Sequence, residues 1–223
     1  MERGGFLIKR VAFKHGWYYH YRVHNVKSET LLNNGLASLK QFLEDVFDNC
    51  PNDYFKSGPR GSSLKFKLPN LNIKCITGHE ISALAELGLK ENAERFKSNH
   101  SKVQMFMLEN DTNTIAMEVP IWLEATEIDG YDKMFNSNEP LTGHIDVLRV
   151  NDGKVWVWDY KPNAHKEKYA DTQTYFYALM LSKRTGLPLE MFRCGYFDKN
   201  YAFVFKPEEV SKNLYIDNQT ILP

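Results

Sequence analysis

The stretch Gly143–Pro162 reads GHIDVLRVNDGKVWVWDYKP, and it places Asp146, Asp159 and Lys161 among apolar, strand-forming residues. Asp152–Gly153 interrupts the stretch in its middle, and Asp-Gly is a strong signal for a two-residue type I′ hairpin turn. The stretch therefore predicts two antiparallel strands joined by this turn. Burying a carboxylate costs free energy unless a cation or hydrogen bonds compensate it, so the two aspartates need an explanation.

The register of this hairpin brings the charged residues together. With a two-residue turn, Asp146 lies directly opposite Asp159, and His144 lies opposite Lys161. Facing residues have Cβ atoms about 4.5–5.5 Å apart, and two carboxylates at that distance repel each other unless a cation or a proton intervenes. Mg²⁺ fits such a site, because it prefers oxygen ligands and needs only one or two carboxylates beside substrate phosphate oxygens.

Two alternatives to a metal site remain open at this point. An aspartate facing a lysine is often a plain surface salt bridge, which contributes little to stability. A three-residue turn would shift the register by one residue and separate Asp146 from Asp159.

The rest of the sequence predicts a mixed α/β architecture. Thr77–His100 has the apolar spacing of one long helix, and Thr114–Ala125 predicts a strand before the hairpin. After the hairpin, residues 166–186 predict a second helix that ends at Gly186, followed by two short strands. The order of helix, three strands, helix and one or two strands indicates a central sheet. Residues 77–223 are expected to form this core, and residues 1–76 an N-terminal extension of unknown role.

Composition gives no global indication of a nucleic-acid partner, because the 28 basic and 28 acidic residues of the 223-residue chain cancel. Local clusters such as Lys65–Lys67 are more often solvated loops than binding surfaces. No apolar stretch approaches the roughly 20 residues of a membrane span, and the first residues have no secretory signal. We therefore expect a cytoplasmic protein with no membrane partner.

The motifs GHIDVL, WDYKP and QTYFY together resemble the PD-(D/E)XK nuclease superfamily, in its RecB-like branch. Asp146 matches the acid that follows a glycine on the second core strand, and Asp159 and Lys161 match the D-x-K motif. Gln173 and Tyr177 match the Q-x-x-x-Y motif of the following helix and, four residues apart, project from one helix face. The resemblance covers roughly residues 77–205 and implies a restriction-endonuclease-like αβββαβ core.

The resemblance also suggests further site residues. The first helix of RecB-like members frequently supplies a histidine as a metal ligand, and His79 is the best match. Glu118 resembles an acid often found on the first core strand. The alternatives are ordinary ones: His79 as a surface residue, its neighbour Glu80 as a helix cap, and Gln173 exposed on an amphipathic helix.

The function that the resemblance implies is a metal-dependent DNA nuclease that hydrolyses phosphodiester bonds. Asp146, Asp159 and His79 would hold Mg²⁺ or Mn²⁺, with Lys161 beside the reacting phosphate and Gln173 and Tyr177 on the DNA side. Such a small nuclease would serve recombination, repair or replication, in a cell, a virus or a mobile element. The rivals are a Holliday-junction-type resolvase, for which a homodimer would be the active form, and a non-catalytic DNA-binding protein.

No iron–sulfur cluster is expected. Several RecB-like exonucleases hold such a cluster with four cysteines around the core. This chain has only Cys50, Cys75 and Cys194, which are far apart and form no CxxC pair.

Overall fold

The computed structural model describes residues 7–33, 35–69 and 71–210, and these residues form one mixed sheet with helices on both faces. The strand order across the sheet is β1-β2-β4-β5-β6-β7-β8-β3. The strands are β1 (Ile8–His15), β2 (Trp17–His24), β3 (Lys74–Thr77), β4 (Thr114–Leu123), β5 (Leu141–Asn151), β6 (Lys154–Tyr160), β7 (Phe192–Phe197) and β8 (Tyr201–Phe205). The helices are α1 (Asn25–Leu31), α2 (Ala37–Asn49), α3 (Glu80–Glu91), α4 (Asn99–Asn110), α5 (Tyr131–Phe135) and α6 (Ala170–Thr185).

The predicted hairpin is confirmed as β5 and β6. The two strands pair from Asn151–Lys154 to Val147–Trp158, the register that a two-residue turn requires. Asp152 and Gly153 have φ values of 50° and 68°, and positive φ at both positions is the requirement of a type I′ turn. The next position outward along the two strands carries the two aspartates of the sequence motif.

The predicted αβββαβ order is confirmed by α3 and α4, then β4, β5 and β6, then α6 and β7. β7 pairs with β6 in parallel, so the chain must cross over between them, and α6 provides the crossover. One face of the sheet packs against α6 and α2 in the largest apolar cluster, and the other packs against α3 and α4. No helix within the described ranges is both long and apolar enough to cross a membrane.

The single long helix predicted over Thr77–His100 is wrong. Thr77 ends β3, α3 stops at Glu91, and α4 begins after Ser98, whose hydroxyl caps it by accepting a hydrogen bond from the Ser101 amide at 3.0 Å. Serine is a strong N-cap because its oxygen satisfies a helix N–H that has no partner in the helix. The chain therefore turns back, and α4 packs antiparallel to α3.

Gly88 makes the close approach of these two helices possible. A Cβ at this position would lie 3.0 Å from the Val103 Cα on α4. By propensity alone, a glycine inside a helix lowers its stability. Here its small size is what allows α3 to pack closely on α4.

The described part of residues 1–76 contributes strands to the sheet instead of lying apart from it. β2 pairs with β4 through Arg22–Met117 and Val23–Ala116, so the β1–β2 hairpin extends the sheet at one edge. β3 pairs with β8 at the other edge, and the expected boundary at residue 76 falls inside it. Segments on both sides of that boundary thus build a single sheet.

A buried ion pair fixes β5 against the loop after α4. Arg149 Nε lies 2.7 Å from Asp111 Oδ2, Arg149 Nη1 lies 2.8 Å from Glu80 Oε1, and both Arg149 and Asp111 are buried. Burial alone would raise the pKa of Asp111, but the Arg149 guanidinium holds that pKa below its ordinary value. Because the folded-state pKa is below the unfolded one, this stabilisation is complete above pH about 4 and is lost as the pH falls further.

Replacement of Arg149 by methionine is expected to lower the free energy of unfolding by about 3–5 kcal/mol at neutral pH, because Asp111 would remain buried without its cation. The difference from the wild type should shrink as the pH falls, first because burial raises the pKa of Asp111 in the variant and lets it take up a proton above pH about 4, and then because the wild-type ion pair is itself lost below pH about 4. Urea denaturation across this pH range measures both effects. The control is Arg95→Met, which breaks the exposed pair with Glu109 and should cost less than about 1 kcal/mol. Equal costs for the two variants would contradict this interpretation.

Candidate active site

A polar pocket of about 290 Å³ opens beside β4, β5 and β6, between α6 on one side and the start of α4 on the other. Six of the seven site residues suggested by the sequence line it, and the seventh, His79, does not. The lining residues are Tyr19, Arg60, Ser62, His100, Glu118, Gly143, His144, Asp146, Asp159, Lys161, Gln173 and Tyr177.

Three carboxylates stand at the same level on three adjacent strands. The pairs on either side of Glu118 place it opposite Asp146, and the β5–β6 register places Asp146 opposite Asp159. Both aspartates are buried. The pocket therefore concentrates negative charge where three neighbouring strands meet.

The Asp159 side chain is held by a chain of polar contacts that ends on α6. Lys161 Nζ lies 2.7 Å from Asp159 Oδ2 and donates a hydrogen bond to Gln173 Oε1 at 3.0 Å. Gln173 Nε2 in turn lies 2.7 Å from Asp159 Oδ1 and 3.0 Å from the Tyr177 hydroxyl. Asp159 and Gln173 are both buried, so the contact is not a surface salt bridge and Gln173 is not an exposed helix residue.

Asp146 is held by the backbone of the neighbouring strand. Its Oδ2 accepts a hydrogen bond from the Tyr160 amide at 2.9 Å, and the His100 Nε2 lies 3.7 Å from the same oxygen. The other Asp146 oxygen remains available to the pocket.

Glu118 reaches the pocket through an unusual backbone conformation. Its φ of 52° lies in the left-handed region, which costs a residue with a side chain of order 1–3 kcal/mol. Gln104 from α4 donates a hydrogen bond from Nε2 to Glu118 Oε1 at 2.8 Å and steadies the re-aimed side chain. Sequence patterns do not reveal such a local distortion of a strand.

The N-terminal part of the chain supplies one wall of the pocket. The Tyr19 ring stacks on the His144 ring with a centroid separation of 3.6 Å. His144 Nε2 lies 2.9 Å from His15 Nδ1, and burial, followed by His15 and then by the charge of Arg60, keeps the pKa of His144 well below its ordinary value. Arg60 is fixed by hydrogen bonds from Nη2 to the carbonyls of His15 and Phe55, both at 2.8 Å.

Comparison with known proteins agrees with this geometry. A family model described as the PD-(D/E)XK nuclease superfamily matches residues 22–220, most of the chain. The chain belongs to the PD-(D/E)XK nuclease superfamily. No curated protein and no solved structure gives a match. Superfamily membership points to nuclease activity with nucleic acid as the substrate, and divalent metals are typical of the superfamily.

Charge crowding in the pocket of this superfamily member shows in its acid–base properties. Burial and then the charge of Asp146 raise the pKa of Glu118 to about 8. Burial also raises the pKa of Asp159 to about 6, with Asp146 adding to the effect and Lys161 opposing it. Burial alone would lower the pKa of Lys161, but the charges of Asp159 and Asp146 raise it, so the lysine stays an ammonium.

The donor set fits a hard divalent cation that keeps part of its water shell. Within the described residues, no three His, Cys, Asp or Glu side chains converge into a closed metal-binding cluster. Asp146 and Asp159 nevertheless offer two carboxylates, which is as many as Mg²⁺ needs beside water and phosphate oxygens. Asp159 Oδ2 is buried, and its one polar contact among the described residues is the Lys161 ammonium at 2.7 Å, which leaves the second lone pair of this oxygen free. This oxygen has the unused acceptor capacity that a metal ligand requires.

The sequence-based choice of His79 is not supported by its position. His79 caps α3, with Nδ1 accepting a hydrogen bond from the Ile81 amide at 3.1 Å, and its ring meets the edge of Trp158. Because alternate residues of a strand face opposite ways, Trp158 and Asp159 lie on opposite faces of the sheet. His100 occupies the pocket instead, at the start of α4. The sequence predicted one helix before β4, but the chain forms two. The helix that directly precedes β4 is α4, and it begins near His100.

Tyr177 is held in a slot between two glycines. A Cβ on Gly61 or on Gly143 would collide with the Tyr177 ring. The glycine before Asp146 in the sequence motif therefore has a packing role, which is to admit the tyrosine of α6 beside the carboxylates.

Replacement of Gly143 by alanine is expected to lower the free energy of unfolding by about 1–3 kcal/mol, because the added methyl group displaces the Tyr177 ring. In a Tyr177→Ala background the same replacement should cost close to nothing, since the ring is gone. Chemical denaturation of the wild type, the two single variants and the double variant measures this coupling. An unchanged cost of Gly143→Ala in the Tyr177→Ala background would show that the packing explanation is wrong.

Proposed function

We propose that this chain is a divalent-metal-dependent deoxyribonuclease of the RecB-like branch, which hydrolyses phosphodiester bonds in DNA during recombination, repair or replication. The observation that carries the proposal is the meeting of Asp146, Asp159, Lys161, Gln173 and Tyr177 in one pocket. These residues come from three separate sequence motifs. A protein without a catalytic site would have no need for buried charged groups clustered in this way.

Asp146 and Asp159 are proposed to supply the carboxylate ligands for Mg²⁺ or Mn²⁺. The bound metal would polarise the scissile phosphate and lower the pKa of a coordinated water. Glu118 and His100 stand beside Asp146 in the pocket and are proposed to support this site in place of His79.

Lys161 is proposed to stabilise the negative charge that develops on the phosphate during hydrolysis. Its ammonium group is fixed between Asp159 and Gln173, so little reorganisation is needed when charge appears, and preorganised charges of this kind contribute strongly to catalysis. Gln173 acts on Lys161 and Asp159 together, as a positioning residue.

The test of the activity is a digestion panel with linear, circular, single-stranded and branched DNA, each with and without Mg²⁺ or Mn²⁺. Metal-dependent cleavage of the linear and single-stranded substrates is expected. Cleavage confined to branched DNA, by a dimer, would favour a junction resolvase. No cleavage, together with a melting temperature that neither metal raises, would favour a non-catalytic DNA-binding protein, because a ligand that prefers the folded state must stabilise it.

Replacement of Asp159 by asparagine, or of Lys161 by methionine, is expected to reduce cleavage by about 10²-fold or more, as loss of a preorganised charged group does. Initial rates on the preferred DNA at saturating metal measure the loss. The Asp159→Asn variant should also melt no lower than the wild type, because burial, aided by Asp146, outweighs the Lys161 ammonium and raises the pKa of Asp159 to about 6, so its charge at neutral pH costs the folded state free energy.

Two residues of the same hairpin serve as matched controls. Asp152→Asn keeps a type I′ turn, since Asn-Gly suits that turn as well as Asp-Gly does. Lys154→Met removes an ammonium at the far end of β6, where it contacts the Glu190 carbonyl. Both controls should cleave DNA like the wild type. Retained cleavage in both Asp159→Asn and Lys161→Met would refute the assignment.

A further inference from the structure

The β1–β2 hairpin has an uneven charge that the neutral chain as a whole conceals. Residues 8–28 contain five lysines and arginines and not one aspartate or glutamate, although the full chain has a formal net charge of zero. A local excess of positive charge beside a nuclease pocket attracts the phosphate backbone.

Most of this charge lies on one face of the hairpin. Cross-strand pairing puts Arg10 opposite Arg22 and Lys14 opposite Tyr18, and all four project from the face turned away from α2. Arg10 and Lys14 are exposed, and neither forms an ion pair with any residue in the described ranges. These cations are therefore available to a partner.

The tip of the hairpin carries two aromatic rings that the fold leaves in water. Trp17 is 81% exposed and Tyr18 is 67% exposed, which is unusual for rings of this size. The next residue, Tyr19, lines the active-site pocket and stacks on His144. Because alternate residues of a strand face opposite ways, Trp17 lies on the face of Tyr19 and Tyr18 lies on the basic face, so the tip joins the wall of the pocket to the cations.

The basic face is connected to the same pocket. Arg22 pairs with Met117 on β4, the residue that precedes Glu118, and the Glu118 carboxylate acts electrostatically on Arg22. A strand that leaves the pocket across β2 would therefore meet Arg22 and then Arg10. Charged residues are depleted at the centre of protein–protein interfaces. The unpaired cations of this face therefore suit a phosphate backbone better than an apolar protein partner.

We propose that this hairpin binds a single-stranded segment of the DNA substrate beside the active site. The strand passes around the tip of the hairpin, with one base stacked on Trp17 beside the pocket wall and another on Tyr18, and its phosphates contact Lys14 and Arg10 on the face of Tyr18. Unpaired bases are required, because the rings need access to a base face, and aromatic rings interleaved with cations form the usual surface for single strands. The inference rests on the proposed nuclease function and names the substrate class: DNA with a single-stranded end or gap.

The first test measures binding without cleavage. The full chain is titrated into a fluorescent oligo(dT) strand and a blunt duplex of equal length, in EDTA, with fluorescence anisotropy as the signal. The wild type should bind oligo(dT) more tightly than the duplex. Trp17→Ala with Tyr18→Ala should weaken binding of oligo(dT) about tenfold or more, as loss of stacked bases does, and leave duplex binding little changed. Trp17→Phe should restore most of the affinity to a Trp17→Ala protein.

The second test separates the phosphate contacts from the stacking. Arg10→Gln with Lys14→Gln should reduce the slope of log affinity against log salt by about 0.7 for each lost phosphate contact. Lys154→Gln with Lys206→Gln removes two lysines at the opposite end of the sheet and should leave the slope unchanged. Melting temperatures of all variants should stay near the wild-type value, since the replaced side chains are exposed, apart from the half-buried Lys154 at the end of its strand.

Failure of this inference can be told apart from failure of the proposed function. Trp17→Ala with Tyr18→Ala should raise KM on single-stranded DNA and leave kcat near the wild-type value. Oligo(dT) binding as tight as in the wild type would overturn the hairpin proposal while metal-dependent cleavage stands. A wild-type dimer that the double replacement converts to a monomer, with unchanged oligo(dT) affinity per chain, would also overturn it. Absence of any cleavage would instead reject the nuclease, with the binding result unaffected.

Discussion

The two-residue turn at Asp152–Gly153 fixes the register of β5 against β6, and this register determines where the Asp146 and Asp159 carboxylates meet. Once the turn is type I′, Asp146 and Asp159 must reach the same level of the sheet. Other groups of the pocket offset the resulting repulsion between the two carboxylates. Lys161 neutralises one carboxylate, the Tyr160 amide supports the other, and Gln173 ties the lysine to α6. A divalent cation would complete this balance of charge.

Local sequence was enough for the parts of the structure that depend on neighbouring residues. Asp-Gly between two apolar runs has one favoured geometry, and this alone yields the hairpin register. The spacing of Gln173 and Tyr177 puts both on one helix face, which packing against β5 then directs into the pocket. The order of elements around the hairpin also follows from local sequence patterns, and that order predicted the mixed sheet.

The features that sequence did not reveal depend on contacts between distant segments. The Ser98 cap and the contact of Gly88 with Val103 set the break between α3 and α4. The apolar spacing continues across this break, so the sequence indicated His79 as the helix's metal ligand, whereas His100 is the histidine in the pocket. Tyr19 and Arg60 reach the pocket because β2 joins the sheet beside β4. No spacing rule connects residue 19 with residue 144, so only the folded chain shows that they stack.

The pocket is assembled from two stretches of chain that carry different chemistry. The groups at its floor come from residues 100–177, whereas Tyr19, Arg60 and Ser62 form a side wall from the first third of the protein. Changes in that wall can alter which polymer fits without touching the groups proposed to cut it. This separation gives evolution, or an engineer, a way to redirect the protein to new targets while its hydrolytic apparatus stays intact.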